Sequence, residues 1–149
     1  IGIAINNKLP LFLHERDAFD DFYSIISTRI NKISNAVVHC FTGNLTSLKA
    51  YLDLGLYIGI TGWICDRNRG KELSRIVKYI PSDRLLIETD APYLTPHCKD
   101  IKKYISTNRR NEPCTLPLVA AKISECCGKD PSKLIHECTM NTNIFFNLD

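Results

Sequence analysis

The sequence has no uninterrupted apolar run of bilayer length, no segment that reads as an export signal and no dense basic stretch. A membrane partner is therefore not expected. The formal charge of +3 permits a nucleic-acid partner without arguing for one. Low-complexity segments are also lacking. Cysteine pairs with zinc-type spacing are missing as well: of the 7 cysteines, Cys126 and Cys127 are adjacent, and Cys40, Cys65, Cys98, Cys114 and Cys138 are scattered. That excludes a zinc ribbon. An odd thiol count in a chain of this size points to reduced thiols in an intracellular compartment, the cytoplasm first and the nucleus as the alternative. The chain also lacks an initiating methionine, and Ile1 to Asn6 reads as the tail of an apolar helix. The expectation from that opening is a fragment or a truncated product.

What is present is ordinary in bulk and unusual in arrangement. A chain of 149 residues, 44% hydrophobic and 23% charged, suits a single domain spanning 1–149 with an adequate core. Leu85 to Leu94 runs apolar and then meets Glu88, Asp90 and Pro92. Proline stops a strand, and residues two apart share one side of it, so Glu88 and Asp90 fall together at a carboxyl end. Leu9 to Asp17 is apolar until His14, and Ala36 to Gly43 is apolar until His39. One such strand end is unremarkable, being polar as strand ends often are. Three ending in His or Asp supply the donor types that hold a divalent metal.

Taken in order, the chain alternates strand and helix. After the first strand, Phe19, Phe22, Tyr23 and Ile26 mark an amphipathic helix with Asp17 as its cap. The strand at Ala36 is followed by a helix capped by Asn44 or Thr46 and stopped at Gly55. Leu56 to Gly62 is the third strand, whose two glycines leave room for close backbone approach. Trp63 to Arg69 is a rim loop, Lys71 to Ile80 a helix, and Leu85 to Thr89 the fourth strand. A long rim loop then leads to helices from about Leu116 to Cys127 and from about Ser132 through Asn143. The β-α repeat demands parallel strands and right-handed crossovers, the economy of an α/β barrel of TIM type. Such a barrel takes about 250 residues and eight strands, of which only four are legible here.

At this point four stretches stand in an informative order: Val38-His39-Cys40-Phe41-Thr42-Gly43, Ile58-Gly59-Ile60-Thr61-Gly62-Trp63, Leu86-Ile87-Glu88-Thr89-Asp90-Ala91-Pro92-Tyr93-Leu94 and Arg110-Asn111-Glu112-Pro113. They closely resemble the TatD family of metal-dependent deoxyribonucleases. The resemblance implies the C-terminal half of a (β/α) barrel with a metal centre at its carboxyl rim, hydrolysing DNA. It implies that His14 and His39 bind one metal, and that Asp90 contacts another metal and the attacking water. Glu88, one pleat earlier, would support these residues from deeper in the barrel. Mg²⁺ is the cofactor expected first, with Mn²⁺ or Zn²⁺ as alternatives. The family also carries a His-x-His pair on its first strand and a bridging glutamate on its fourth, and nothing in this sequence supplies either.

The remaining candidates carry two readings each. Arg109 and Arg110 could contact phosphate, and Arg110 could equally pin its loop through Glu88 or a backbone carbonyl. Trp63 could stack on a base or plug the rim. His97 could touch substrate or lie as an ordinary surface histidine. Cys40, next to His39 on the strand and pointing the other way, reads as a small core residue. Two functional expectations follow. The first is a metal-dependent DNA hydrolase. The second is a catalytically incomplete half-barrel that exposes an apolar inner face and bare edges, binds metal or nucleic acid weakly, or self-associates as a homo-oligomer.

Overall fold

The structure, a computed structural model, describes residues 1–105 and 110–148. After a short helix, α1 (Gly2–Asn6), four strands alternate with three helices: β1 (Leu11–His14), α2 (Phe19–Ser27), β2 (Ala36–His39), α3 (Leu45–Asp53), β3 (Tyr57–Ile60), α4 (Lys71–Ile76) and β4 (Leu85–Ile87). Two helices close the chain, α5 (Leu116–Cys127) and α6 (Pro131–Phe146). All three strand pairings are parallel, and the sheet order is β1-β2-β3-β4. Each strand thus joins its neighbour through a helical crossover, as parallel pairing requires.

Register explains which side chains share a face. Phe12 pairs with Val37, His14 with His39, Val37 with Tyr57 and Gly59 with Leu86. Because side chains alternate along a strand, these residues line one face. Leu11, Leu13, Ala36, Val38, Ile58, Ile60, Leu85 and Ile87 line the other and pack into the main core beneath the helices. At the centre of one end of that core is Tyr51, fully buried, with Phe19, Phe22 and Phe41 at ring separations of 5.5, 5.5 and 6.2 Å. Its hydroxyl donates to Glu15 Oε2 at 3.2 Å, next in sequence to His14. Burying such a ring contributes about 1.5–3 kcal/mol, and its polar end is tied to the turn that follows β1.

The first face is not left open as the sequence suggested. Val37, Tyr57 and Leu86 are buried there under Phe145, whose ring meets Tyr57 edge-on at 5.2 Å. Helix α6 runs past the expected end at Asn143 because Phe145 has this apolar surface to cover. On the edge strand β1, Phe12 (56% exposed) and His14 stay open to solvent on that face.

Several local expectations need correction. Asp17 does not cap α2: it takes a left-handed φ of 54°, the N-cap is Ala18 with no side-chain cap bond, and Glu15 Oε1 accepts the Ala18 N–H. Asn44 does cap α3, accepting from the Ser47 N–H at 3.0 Å. The segment Lys71 to Ile80 is α-helical only to Ile76 and then tightens into a 3-10 turn, Val77–Tyr79. Strands β3 and β4 are shorter than the apolar runs that mark them. Both ends of β4 are held by a buried asparagine. Asn141 on α6 donates to the carbonyls of Ser82 and Leu85 at 2.7 and 2.9 Å before the strand. Asn111 does the same after it.

Candidate metal centre

The carboxyl ends of β1, β2 and β4 open onto a cleft of about 740 Å³ that includes His14, Cys40, Trp63, Arg69 and Asp90 among its lining residues. His14 and His39 are register partners with ring centroids 5.9 Å apart. Phe12 packs against His39 at 4.8 Å on the same face.

His39 is held from both sides. Its Nδ1 lies 2.6 Å from Glu88 Oε2, and its Nε2 lies 3.4 Å from Asp90 Oδ1. The hydrogen bond to Glu88 is the main cause that raises the His39 pKa above its ordinary value, against a smaller desolvation cost. The same Glu88 oxygen accepts the Cys40 N–H at 3.1 Å. Glu88 reaches this position because β3 carries no side chain beneath it. A Cβ on Gly59 would stand only 2.2 Å from Glu88 Oε1. Gly59 therefore makes room for a carboxylate, and Gly62 for backbone: a Cβ there would meet the Leu94 carbonyl at 2.0 Å.

Cys40 is not a strand residue, as the sequence suggested. The strand ends at His39, and Cys40 turns away with φ 48°, its Sγ 3.4 Å from Thr61 Oγ1. Burial pushes its thiol pKa up, which leaves it a poor nucleophile. Asp90 takes a similar left-handed backbone, φ 56°. For a residue with a Cβ that conformation costs on the order of 1–3 kcal/mol and persists only where neighbours enforce it. The enforcement comes from Asn111, a residue the sequence reading passed over. Buried to 2% exposure, it donates from Nδ2 to the Thr89 carbonyl at 2.8 Å and to the Tyr93 carbonyl at 2.6 Å. Its place inside the Arg-Asn-Glu-Pro stretch was the available signal, since Asn side chains often bond the backbone of loops and turns.

The other candidates are more scattered. Trp63 lies in a 3-10 turn, Gly62–Cys65, rather than an irregular loop, with the Arg69 guanidinium 4.4 Å over its ring. Arg69 is fixed by Asp66, whose pKa is lowered to about 2 by the Arg69 and Asn68 backbone N–H groups and by the Arg69 guanidinium. His97 is exposed beside Asp66 at 3.6 Å, on a neighbouring cavity of about 510 Å³ rather than in the main cleft. Arg110 is exposed next to Asn111, and Arg109 lies outside the described residues. Among the described residues, no three His, Cys, Asp or Glu side chains close into a ready metal cage. No helix among them is long and apolar enough to cross a membrane.

The chain is similar to known proteins along nearly its whole length. The family described as TatD related DNase matches residues 1–147. A protein of Pectobacterium carotovorum named 3'-5' ssDNA/RNA exonuclease TatD is 45% identical over 148 residues, which are 99% of this chain and 56% of that protein. One of the same name from Klebsiella pneumoniae is 43% identical over 149 residues, 100% of this chain and again 56% of the relative. Among solved structures, a TatD homologue from Escherichia coli K12 aligns with a TM-score of 0.85 at 25% identity, covering 99% of this chain and 54% of that one. A TatD family hydrolase from Entamoeba histolytica aligns with a TM-score of 0.79 at 27% identity, covering 94% of this chain and 51% of that one. The chain spans about half the length of the relatives it matches. From its parallel β-α repeat to the four stretches along its rim, the chain belongs to the TatD-related DNase family.

Proposed function

We propose that this chain carries part of the catalytic centre of a metal-dependent nucleic-acid phosphodiesterase, one that removes nucleotides from the 3′ end of single-stranded DNA or RNA. The observation that carries the reading is His39, held by Glu88 with its other ring nitrogen turned to Asp90, beside His14 on the paired strand. The named activity of the relatives supports the substrate class.

The residues fit a divalent cation by donor chemistry. Two imidazoles and a carboxylate suit a hard or borderline ion. A carboxylate on the far nitrogen of His39 fixes its tautomer and raises its basicity as a ligand. His14, His39 and Asp90 are the residues that would hold the ion. When bound, the ion supplies Lewis-acid polarisation of the phosphodiester and a nucleophilic water at neutral pH. The Asp90 carboxylate would accept the proton of the attacking water as the water oxygen adds to phosphorus. The P–O ester bond breaks, and the leaving oxygen takes a proton from solvent to depart as a hydroxyl. Glu88 keeps Nδ1 of His39 occupied so that Nε2 stays turned to Asp90. Trp63, stiffened by Arg69, offers an aromatic wall against which a terminal base can stack.

The test is cleavage of a 5′-labelled single-stranded oligonucleotide by the chain in Mg²⁺ or Mn²⁺. The expected result is a ladder shortening from the 3′ end, lost with chelator and at least about 100-fold slower in Asp90→Asn. No metal-dependent shortening at enzyme excess, or shortening that Asp90→Asn leaves intact, would contradict the proposal.

A further inference from the structure

We infer that Asn111 is the positioning residue of this site: a buried amide that ties the loop after β4 and so sets where the Asp90 carboxylate stands. The inference rests on the reading of Asp90 given above. The two carbonyls that receive Asn111 Nδ2, those of Thr89 and Tyr93, flank Asp90 on either side in sequence. The backbone N–H of Asn111 donates to a third carbonyl of the same loop, that of Pro92, at 3.1 Å. On its acceptor side, Asn111 Oδ1 takes the Thr115 hydroxyl at 2.7 Å and the Glu112 N–H at 3.0 Å. Carbonyls on one side and donors on the other leave a single amide orientation. Both polar atoms are thus paired, with Thr115 itself wholly buried at the start of α5.

The geometry gives the clamp a direction of action. Helix α5 is a rigid element packed on the core through Val119, Ala120 and Ile123. Thr115 and Asn111 carry that rigidity across to a loop that otherwise has two left-handed non-glycine residues, Asp90 and Leu94. Within the loop the Tyr93 N–H donates to the Asp90 carbonyl at 2.9 Å, a bond that reports on the clamp directly. On the far side, the Leu94 carbonyl rests where Gly62 has no side chain. A strained Asp90 backbone is therefore pinned at both ends and kept within 3.4 Å of His39 Nε2.

The experiment compares wild type with Asn111→Asp, Thr115→Val, Thr115→Ser and Asp90→Asn, by amide hydrogen exchange at Tyr93, by Mn²⁺ titration calorimetry and by Tm. Asn111→Asp keeps the shape but turns a carboxylate oxygen toward two carbonyls. It is expected to lose about tenfold or more of the Tyr93 exchange protection. Mn²⁺ affinity should fall with it by about 10–100-fold. Thr115→Val should move both readouts the same way by less, and Thr115→Ser should restore them; this pair carries the test if Asn111→Asp does not fold. A lowered Tm with Tyr93 exchange and Mn²⁺ affinity unchanged would reduce Asn111 to packing and overturn the inference. Mn²⁺ affinity that falls in Asp90→Asn but not in the clamp variants would overturn the inference alone. Affinity unchanged in Asp90→Asn would remove the reading of Asp90 as well.

Discussion

His14 and His39 lie opposite each other in one register, yet the two walls they belong to are built differently. His39 sits between two carboxylates, over a glycine that makes the space, in front of a loop tied by a buried amide. His14 ends an edge strand and is exposed, and the tie nearest it is indirect, from Tyr51 to the neighbouring Glu15. The difference shows how a metal-binding rim can be half prepared. The wall of β2, β3 and β4 carries its orientation in its own hydrogen bonds, whereas the β1 wall has few that constrain its histidine.

That contrast can be broken by substitutions on each wall. The largest effect is expected from Glu88→Gln, which keeps size but removes the charge on Nδ1 of His39. Mn²⁺ affinity by calorimetry should fall by about 10–100-fold. Next comes Gly59→Ala. Its Cβ would displace the Glu88 carboxylate, a flexible group that can move, so the cost should fall more on affinity, about tenfold, than on folding. Equal affinity for wild type and Gly59→Ala would mean that the Glu88 wall is not prepared at all.

On the other wall, Tyr51→Phe removes only the hydroxyl that ties Glu15. Chemical denaturation should show a loss of about 0.5–1.5 kcal/mol, with Mn²⁺ affinity barely changed. A large affinity loss there would show that the β1 wall is as constrained as its neighbour.

The smallest effect is expected at Asp66→Asn, on the Trp63 side, where an exposed guanidinium pairs with Asp66 for less than about 1 kcal/mol. The Asp66 pKa is lowered on folding, so its contribution is present above the ordinary carboxylate value and is lost as pH falls toward about 2. Wild type and Asp66→Asn should therefore differ in Tm at neutral pH and converge in acid.

How much of this was legible beforehand follows from the physics of each element. The β-α alternation shows in the apolar runs because strands buried on both faces need them. Helix α5 begins and ends where Leu116 and Gly128 put it, the glycine taking the left-handed turn at φ 63°. Strand ends were overestimated at β3 and β4 because an apolar run says nothing about where the ladder stops. Glu88 still gives its N–H to the Ile60 carbonyl, but its side chain and the residues after it turn to His39 and the loop. The extension of α6 was hidden because Phe145 covers a face that only the folded sheet creates.

Within the site, the gathering of His14, His39 and Asp90 on one rim was readable from three apolar runs that each end in His or Asp. The Asn111 clamp was not, since it joins carbonyls 22 and 18 residues away and leaves no periodicity. The cap of α2 was misassigned for a related reason. Asp17 has the right side chain, but it turns left-handed before the helix, and Ala18 takes the N-cap without a side-chain bond.

The most direct measurement is a calorimetric titration of the chain with Mn²⁺ beside the His14→Ala, His39→Ala and double variants. The expected result is saturable binding that weakens in each single variant, more in His39→Ala than in His14→Ala, and vanishes in the double. Binding that survives the double substitution unchanged would contradict the assignment of this rim as a metal centre.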